Sequence, residues 1–297
     1  MKLLDGGKLA AKIKDEVRQE VTRLKSQGRN VCLAVIRVGD DPASSVYVRN
    51  KIKACEYCGI VSDSYVLNAE TTTDELTALI RMLNIDPYIH GILVQLPLPG
   101  HIDESKVLNA IAPEKDVDGF HESNVGKLVI GDDSGFVPCT AKGIVELLKA
   151  NDIKIEGKHC VIVGRSNIVG KPVAMELLKE NATVTICHSK TRGLRYITRE
   201  ADILICAIGK PKFFNHGYIR AGTVVVDVGI HRDPETGTLC GDVDYDDVIS
   251  RVEAITPVPG GVGPMTVAML MKNTVLAAQR QVRSEQSEER QAAKYYN

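Results

Sequence analysis

The stretch VIVGRSNIVG at residues 161–170 decides the fold. Its first three residues are apolar and β-branched, which predicts a buried strand. Gly164 allows a tight turn, and the helix expected to start near Gly170 offers backbone N–H groups to a phosphate. The stretch therefore has the pattern of a dinucleotide-binding turn, with Ser166 where the middle glycine usually stands. An ordinary strand–turn–helix connection has the same pattern, so the flanking sequence has to distinguish the two.

The flanking sequence favours a nucleotide-binding domain. Further apolar strands are predicted at 182–189, 201–209 and 223–229, and helices at 140–151 and 170–182. Strands that alternate with helices in this way predict a parallel sheet of the Rossmann type.

The end of the second of these strands predicts which nucleotide binds. An NAD-specific site places Asp or Glu there to bind the ribose 2′-hydroxyl. This chain instead has HSKTR at 188–192, which includes Ser189, and Arg165 lies on the first turn. A hydroxyl group among basic side chains suits a 2′-phosphate, so the sequence favours NADP. A solvated basic loop is the alternative interpretation.

The first half of the chain also alternates between helix and strand, which predicts a second α/β unit with a mostly parallel sheet. The Gly-, Pro- and Asp-rich stretch 113–139 predicts an irregular functional loop and linker. The elements expected before it are a helix at 8–26, a strand at 31–39, a helix at 44–58, a strand at 62–68, a helix at 71–84 capped by Thr72 or Thr73, and a strand at 90–99.

The composition excludes several classes of protein. The 297 residues carry 37 Lys and Arg against 38 Asp and Glu, a net charge of −1, so no overall basic field attracts nucleic acid or an anionic membrane. The apolar runs fall far short of the roughly 20 residues that span a bilayer. Eight scattered cysteines predict reduced thiols in a cytoplasmic compartment. The Cys55-x-x-Cys58 pair has no second Cys or His pair at zinc spacing, so no metal site is predicted.

Tyr47 and Lys51 are four residues apart on a predicted helix and therefore share one face, whereas Arg49 lies on another. Such a pair serves catalysis when the ring stacks on a flat ligand and the amine exchanges a proton with it. A Tyr–Lys pair on an ordinary exposed helix is the alternative. Short-chain dehydrogenases use a similar pair, but there it follows the nucleotide motif, whereas here it precedes the motif by more than 100 residues.

Three further features are candidates for a ligand site. Gln95 ends a buried strand, where an amide needs a hydrogen-bond partner from a ligand or from nearby backbone. Asp118 lies in the irregular loop as a candidate ligand contact, with the alternative that it and Asp116 are turn formers. The run PVPGGVGPMT at 257–266 allows close approach of the backbone to a ligand, or forms a simple interdomain turn.

With these segments identified, the chain resembles the bifunctional methylenetetrahydrofolate dehydrogenase/cyclohydrolase family. The resemblance runs from about residue 4 to about residue 280. It is carried by the blocks YVRNKIKACEYCGI, GILVQLPLP, PEKDVDGF, PCTAKGI, GRSNIVGKP, CHSKT, DVGI and PVPGGVGPMT, in that order. No additional synthetase domain or import sequence is evident.

The resemblance implies a fold and a set of site residues. Two α/β lobes with a folate cleft between them are expected: a catalytic lobe of residues 1–139, completed by the C-terminal helix and tail at 268–297, and a Rossmann lobe at 140–267. Lys51 is expected to be the catalytic lysine, Gln95 its hydrogen-bonding partner, Tyr47 the stacking ring and Asp118 the anchor of the pterin. The other substrate-binding residues implied are Val48, Arg49, Asn50, Val94, Leu96, Pro259, Gly260, Gly261, Val262 and Gly263. The NADP-binding residues implied are Thr140, Gly164, Arg165, Ser166, Ser189 and Ile230.

The activity implied has two steps. NADP-dependent oxidation converts 5,10-methylenetetrahydrofolate to 5,10-methenyltetrahydrofolate, and hydrolysis then yields 10-formyltetrahydrofolate. A cytoplasmic homodimer is expected from the same resemblance. Three alternatives remain open: a dehydrogenase of this family without hydrolysis, a folate- or NADP-binding protein without turnover, and a different two-lobed dehydrogenase acting on shikimate or amino acids.

Overall fold

Helices and strands alternate along the chain. The structure is a computed structural model that describes residues 1–233 and 236–295, and it describes the side chains of these residues except 42, 43 and 285–295. The elements are β1 (Lys2–Leu3), α1 (Gly6–Ser26), β2 (Cys32–Val38), α2 (Pro42–Cys58), β3 (Val61–Leu67), α3 (Thr73–Ile85), β4 (Gly91–Val94), α4 (Glu104–Leu108), α5 (Glu122–Ile130), α6 (Cys139–Ala150), β5 (His159–Val163), α7 (Gly170–Lys179), β6 (Thr183–Cys187), α8 (Leu194–Arg199), β7 (Ile203–Cys206), β8 (Val224–Asp227), β9 (His231–Arg232), β10 (Leu239–Cys240), α9 (Tyr245–Val248), β11 (Ala254–Ile255) and α10 (Val262–Tyr295).

The backbone divides into two compact units. The first comprises 1–12, 127–133 and 137–269, and the second comprises 13–126, 134–136 and 270–297. Compared with the division predicted from the sequence, the units differ at 1–12, 127–133, 137–139 and 268–269. The predicted division concerns functional domains and stays a prediction; its residues 234, 235, 296 and 297 lie outside the described part of the chain.

The first unit contains a six-stranded parallel sheet in the order β1-β11-β8-β7-β5-β6. β5 is the first strand of its nucleotide-binding motif, and β6 and β7 lie on either side of it. The chain therefore changes direction across the sheet at β5, which is the switch point where ligands bind in doubly wound folds. The predicted Rossmann arrangement is confirmed. The pairing of β1 with β11 was not predicted, because two residues carry too little pattern to mark a strand.

The second unit contains a three-stranded parallel sheet in the order β3-β2-β4. Buried apolar residues of β2, α3 and β4 form its core, among them Ile36, Leu76 and Ile92. The predicted cap of α3 is confirmed at Thr72: its side chain accepts a hydrogen bond from the N–H of Glu75, whose carboxylate accepts one from the N–H of Thr72. This capping box satisfies two backbone N–H groups at the start of the helix and so fixes where the helix begins.

The predicted irregular stretch at 113–139 is wrong in part, since α5 occupies Glu122–Ile130. Gly126 in the middle of the helix weakens its local signal. The tertiary contacts compensate: the side-chain amide of Asn124 donates to the Asp116 carboxylate, and its oxygen accepts from the N–H of Phe136. The C-terminal helix expected within 268–297 begins earlier, as α10 covers Val262–Tyr295.

Within the described residues, every helix is too short or too polar to span a bilayer. The same part of the chain holds no disulfide, and it shows no group of three His, Cys, Asp or Glu side chains that could hold a metal ion.

Candidate active site

Helix α2 presents the Tyr47–Lys51 pair. Its start is fixed by Asp41, whose carboxylate accepts a 2.6 Å hydrogen bond from the N–H of Ser44. The Lys51 side chain is nearly enclosed, with 8% of the residue exposed, whereas Tyr47 is 39% exposed. Burial raises the pKa of the Tyr47 phenol, so the ring stays neutral at physiological pH. The helix therefore offers one buried amine beside one accessible neutral ring.

Gln95 meets Lys51 from the end of β4. Its backbone N–H donates to the carbonyl of Ile36 at 2.8 Å, which continues the β2–β4 ladder by one residue. Its side-chain Nε2 donates to the carbonyl of Leu96 at 2.6 Å, and its Oε1 accepts a 3.0 Å hydrogen bond from Nζ of Lys51. Because Nε2 already has an acceptor, the amide presents its oxygen to the lysine. The hydrogen bond predicted between these residues is present.

The pair is suited to proton transfer at a ligand. A primary amine held by one neutral acceptor keeps its remaining hydrogen positions for other partners. Gln95 itself is only 9% exposed, so little water competes for the contact. A lysine in such a setting can exchange a proton with a bound ligand.

The loop that carries Asp118 is organised by its neighbour Asp116. The Asp116 carboxylate accepts hydrogen bonds from the N–H groups of Gly119 and His121 and from the side-chain amide of Asn124, at 3.1, 2.8 and 2.8 Å. Burial raises the pKa of this carboxyl group. Asp118 is half-buried. Asp116 is therefore a turn former, whereas the role of Asp118 as a ligand contact stays a prediction.

The other substrate-binding residues predicted in the second unit lie in different surroundings. Val94 is buried in the core around β2 and β4. Val48 and Arg49 line a cavity of about 380 Å³ between α2 and the strands β2 and β3. Asn50 is exposed and Leu96 partly exposed. Among all the substrate-binding residues predicted in this unit, Lys51 and Gln95 are joined by a side-chain hydrogen bond.

The predicted loop 259–263 belongs to the first unit. Gly260 has φ = +108°, a conformation that favours glycine, and its carbonyl accepts a 2.8 Å hydrogen bond from the N–H of Gly7. A Cβ atom on Gly6 would collide with the Gly261 carbonyl, so the loop packs directly on the start of α1. Pro259 is exposed, Val262 is buried, and Gly263 faces the side chain of Ile230. This dense backbone contact agrees with a shaped loop rather than with a loose linker.

The nucleotide turn follows β5. Gly164 has φ = +135°, and a Cβ atom there would collide with the carbonyl of Ala207. A Cβ atom on Gly170 would collide with the carbonyl of Gly164. The hydroxyl oxygen of Ser166 accepts hydrogen bonds from the N–H groups of Val169 and Gly170 at 3.2 and 3.3 Å, where the turn leads into α7. The glycines and the serine build the narrow turn that a dinucleotide requires.

Arg165 and Ser189, the residues predicted to bind the 2′-phosphate, lie in the loops directly after two neighbouring strands. Val163 and Cys187 are register partners in β5 and β6, and Arg165 and Ser189 each follow two residues later. Both are exposed. A turn closed by a 2.8 Å hydrogen bond from the N–H of His188 to Oγ1 of Thr191 holds the second loop. An arginine and a hydroxyl group at this edge match an anionic phosphate.

Thr140 and Ile230, the two other residues predicted to bind the cofactor, lie in the same unit. Oγ1 of Thr140, at the start of α6, lies 3.0 Å from Oγ1 of Thr266 on α10. Ile230 follows β8 and is exposed. Thr266 was not singled out from the sequence; its place directly after PVPGGVGPM was the available signal.

Comparison with known proteins gives one consistent family. Residues 4–118 match the model of the tetrahydrofolate dehydrogenase/cyclohydrolase catalytic domain, and residues 138–282 match that of the NAD(P)-binding domain of the same family. The protein is 62% identical over 278 residues to the bifunctional protein FolD of Lachnoclostridium phytofermentans, covering 94% of this chain and 98% of that one.

Solved structures agree with this match. The bifunctional FolD enzyme of Campylobacter jejuni superposes with a TM-score of 0.92 at 54% identity, covering 94% of this chain and 99% of that one. The Trypanosoma brucei methylenetetrahydrofolate dehydrogenase-cyclohydrolase, solved with NADP cofactor and an inhibitor, gives 0.89 at 42% identity, covering 94% and 97%. Since both family models match in order and together cover most of the sequence, the chain belongs to the tetrahydrofolate dehydrogenase/cyclohydrolase family.

Proposed function

We propose that this protein is a bifunctional one-carbon folate enzyme, a methylenetetrahydrofolate dehydrogenase that uses NADP and a methenyltetrahydrofolate cyclohydrolase. It oxidises 5,10-methylenetetrahydrofolate to the 5,10-methenyl compound and hydrolyses that to 10-formyltetrahydrofolate. The observation that carries the proposal is the buried hydrogen bond between Nζ of Lys51 and Oε1 of Gln95. The family membership and the dinucleotide-type turn at Gly164 support it.

The residues that would hold NADP fit that group. Gly164 has no Cβ atom and so lets the turn pack directly on the carbonyl of Ala207, and Ser166 accepts the N–H of Gly170 at the start of α7. Arg165 and Ser189 supply a cation and a hydroxyl group for the 2′-phosphate. Thr140 and Ile230 are assigned to the same cofactor. When bound, NADP supplies the hydride acceptor for the oxidation.

The folate-binding roles rest on the positions of Tyr47, Asp118 and the loop 259–263. The exposed neutral ring of Tyr47 offers a face for the pterin or aminobenzoyl group to stack on. A carboxylate at Asp118 accepts hydrogen bonds from the N–H donors of the pterin. The loop 259–263 is rich in glycine, so it would contact the folate through backbone groups rather than through side chains. Holding the substrate rigidly and excluding water are the chain's main contributions to the oxidation.

Lys51 moves the protons of the hydrolysis. The water oxygen forms a bond to the methenyl carbon, and the amine nitrogen of Lys51 accepts one of the water's protons. The bond from that carbon to N5 then breaks, and the Lys51 ammonium returns the proton to N5. The second water proton leaves to solvent as the cationic substrate becomes a neutral formamide. Gln95 orients the lysine through both steps and is a positioning residue.

A coupled assay tests both activities in one reaction. Purified protein is given 5,10-methylenetetrahydrofolate with NADP, and in parallel with NAD, while reduced cofactor and the methenyl compound are followed together. We expect NADPH to form with little accumulation of the methenyl compound. Accumulation of that compound would point to a dehydrogenase without effective hydrolysis. No reduced cofactor with either nucleotide would overturn the proposal in favour of a binding protein.

We also propose that the protein acts as a homodimer in the cytoplasm. The resemblance to the family supports the dimer. Burial raises the pKa of thiols such as Cys55 to about 12 and Cys58 to about 11, so these thiols are unreactive core residues. Sedimentation equilibrium of the purified protein tests the dimer, and a single species at 32.3 kDa would contradict it.

A further inference from the structure

Asp242 is a buried carboxylate that collects backbone donors from the edge of the nucleotide-binding sheet. Its Oδ2 accepts hydrogen bonds from the N–H groups of Ile208 and Gly209, at 2.6 and 3.1 Å. Its Oδ1 accepts from the N–H of Lys210 and lies within hydrogen-bond distance of Nε2 of His231, both at 2.8 Å. No part of Asp242 is exposed. Three successive amides of one loop therefore point at a single side chain.

That loop lies at the switch point of the sheet. It follows β7 directly, and β7 pairs with β5, the strand that leads into the nucleotide turn. The carbonyl of Ala207 packs so closely on Gly164 that a Cβ atom would collide with it. A shift of the loop would therefore move against the turn that is expected to hold the pyrophosphate.

The geometry of the peptide bonds determines where the backbone carbonyls of the loop 207–210 point. The peptide bonds of this loop are trans, and in a trans peptide the carbonyl points opposite to the following N–H. With the N–H groups of Ile208, Gly209 and Lys210 committed to Asp242, the carbonyls of residues 207–209 point away from it. The carbonyl of Ala207 packs on Gly164, and the carbonyls of Ile208 and Gly209 are directed to the side of the loop opposite Asp242, where acceptors suit the hydroxyl and amide hydrogens of a dinucleotide.

Asp227 ties a second loop to the first. It ends β8, and its carboxylate accepts from the N–H groups of Gly229, Asp242 and Val243 at 3.0, 2.9 and 2.9 Å. A Cβ atom on Gly229 would collide with the Asp242 carboxylate. The segment that leads to Ile230, a predicted cofactor contact, is therefore built against the same pair of carboxylates.

We propose that Asp242 is a positioning residue for NADP, which holds the backbone of 207–210 and of 229–230 in the shape that binds the dinucleotide. This inference rests on the proposed use of NADP. Hydrogen bonds from backbone amides to a buried carboxylate are stronger than those between neutral groups, so the loops keep one arrangement before the cofactor arrives.

The Asp242→Asn variant tests the role with almost no change in shape. The new NH₂ group must face N–H donors, so two of the four contacts are lost or reversed. We expect the Kd for NADP, measured by calorimetry, and the KM for NADP each to rise about 10-fold, with a smaller change in kcat. Hydrolysis of the methenyl compound needs no NADP, and its kcat and KM should stay within twofold of the wild type.

Asp202→Asn is the matched control. Asp202 also accepts a hydrogen bond from a backbone N–H, that of His159 at 2.9 Å, and it forms an ion pair with Arg220. It directly precedes β7 and therefore lies at the opposite end of the strands from Asp242. Its variant should bind NADP with unchanged Kd. Equal losses in the two variants would overturn the proposal, since they would reflect general destabilisation of the sheet.

Two outcomes with Asp242→Asn would also overturn it: an unchanged Kd for NADP, or a parallel loss of hydrolysis. If that variant does not fold, His231→Ala removes one of the four donors and should raise the Kd by about twofold to fivefold; an unchanged Kd there would contradict the role. Calorimetry requires no turnover, so the test does not depend on the folate reactions. Failure of the wild type to bind NADP would instead contradict the proposed function.

Discussion

Nζ of Lys51 donates a 3.0 Å hydrogen bond to Oε1 of Gln95, although the two residues are 44 positions apart and lie on different elements. The contact requires both the register of β4 on β2 and the packing of α2 beside that sheet. Because the Gln95 amide is fixed by the Leu96 carbonyl, the lysine meets an oxygen and not a competing N–H donor. Two predictions test what this arrangement does.

Replacing Lys51 with methionine keeps the length of the side chain and removes the group that carries protons. We expect cyclohydrolase activity to fall by about 100-fold or more, since general acid–base groups contribute on that scale. Oxidation of the methylene compound should remain measurable because the hydride passes without this lysine. Lys53→Met on the same helix is the control, as Lys53 is exposed, and it should retain both activities. A Lys51→Met enzyme that hydrolyses at the wild-type rate would contradict the assigned role.

Replacing Gln95 with leucine tests positioning rather than proton transfer. The amine stays but loses its acceptor and its direction, so kcat for hydrolysis should fall about 10-fold while KM for the methenyl compound changes less. The pH–rate profile of hydrolysis should also move, because the lysine would have a new environment. Gln27→Leu at an exposed site is the control. A pH profile identical to that of the wild type would indicate that Gln95 serves packing alone.

Arg165 is predicted to select NADP over NAD. Its replacement by alanine removes a charged partner of the 2′-phosphate, and such hydrogen bonds contribute about 1.5–3 kcal/mol. We expect KM for NADP to rise about 10- to 100-fold while KM for NAD changes less than twofold. Arg199→Ala, at the exposed end of α8, is the control. An equal rise for both nucleotides would show that Arg165 does not read the phosphate.

Asp227 is predicted to make the stability depend on pH. Burial, followed by the charge of Asp242, raises the pKa of Asp227 from 3.8 to about 7 against the opposing effect of its backbone hydrogen bonds. The folded state thus holds this proton more tightly than the unfolded state, and the stabilisation is complete below about pH 4 and lost as the pH rises through 7. Each unit of pKa difference corresponds to about 1.4 kcal/mol, so the decline amounts to a few kcal/mol.

The variant Asp227→Asn has no proton to lose. Its free energy of unfolding, measured in urea between pH 4.5 and 7.5, should decline less with pH than that of the wild type. Asp202→Asn is again a suitable comparison, because hydrogen bonding from His159 lowers the pKa of Asp202. Equal slopes for the wild type and Asp227→Asn would mean that Asp227 is ionised throughout this range.

The sequence by itself determined the local elements and the nucleotide turn. Apolar β-branched runs and helical periodicity carry that information residue by residue, and Gly164 and Gly170 mark where the backbone must come close. The α/β arrangement around β5 was predictable for this reason. The NADP preference followed from the composition of 188–192, since charge complementarity needs no knowledge of the fold. The partnership of Lys51 with Gln95 followed only from resemblance to the family.

Only the tertiary structure decided which polar groups meet. The β1–β11 pair joins the first residues of the chain to a strand about 250 positions later, and two residues carry no strand signal of their own. Helix α5 depends on the contacts of Asn124 with Asp116 and Phe136, which outweigh the cost of Gly126. Asp242 looks like any turn aspartate in the sequence. Its function follows from donors that converge on it from loops far away in the chain, and such convergence is a property of packing, not of local pattern.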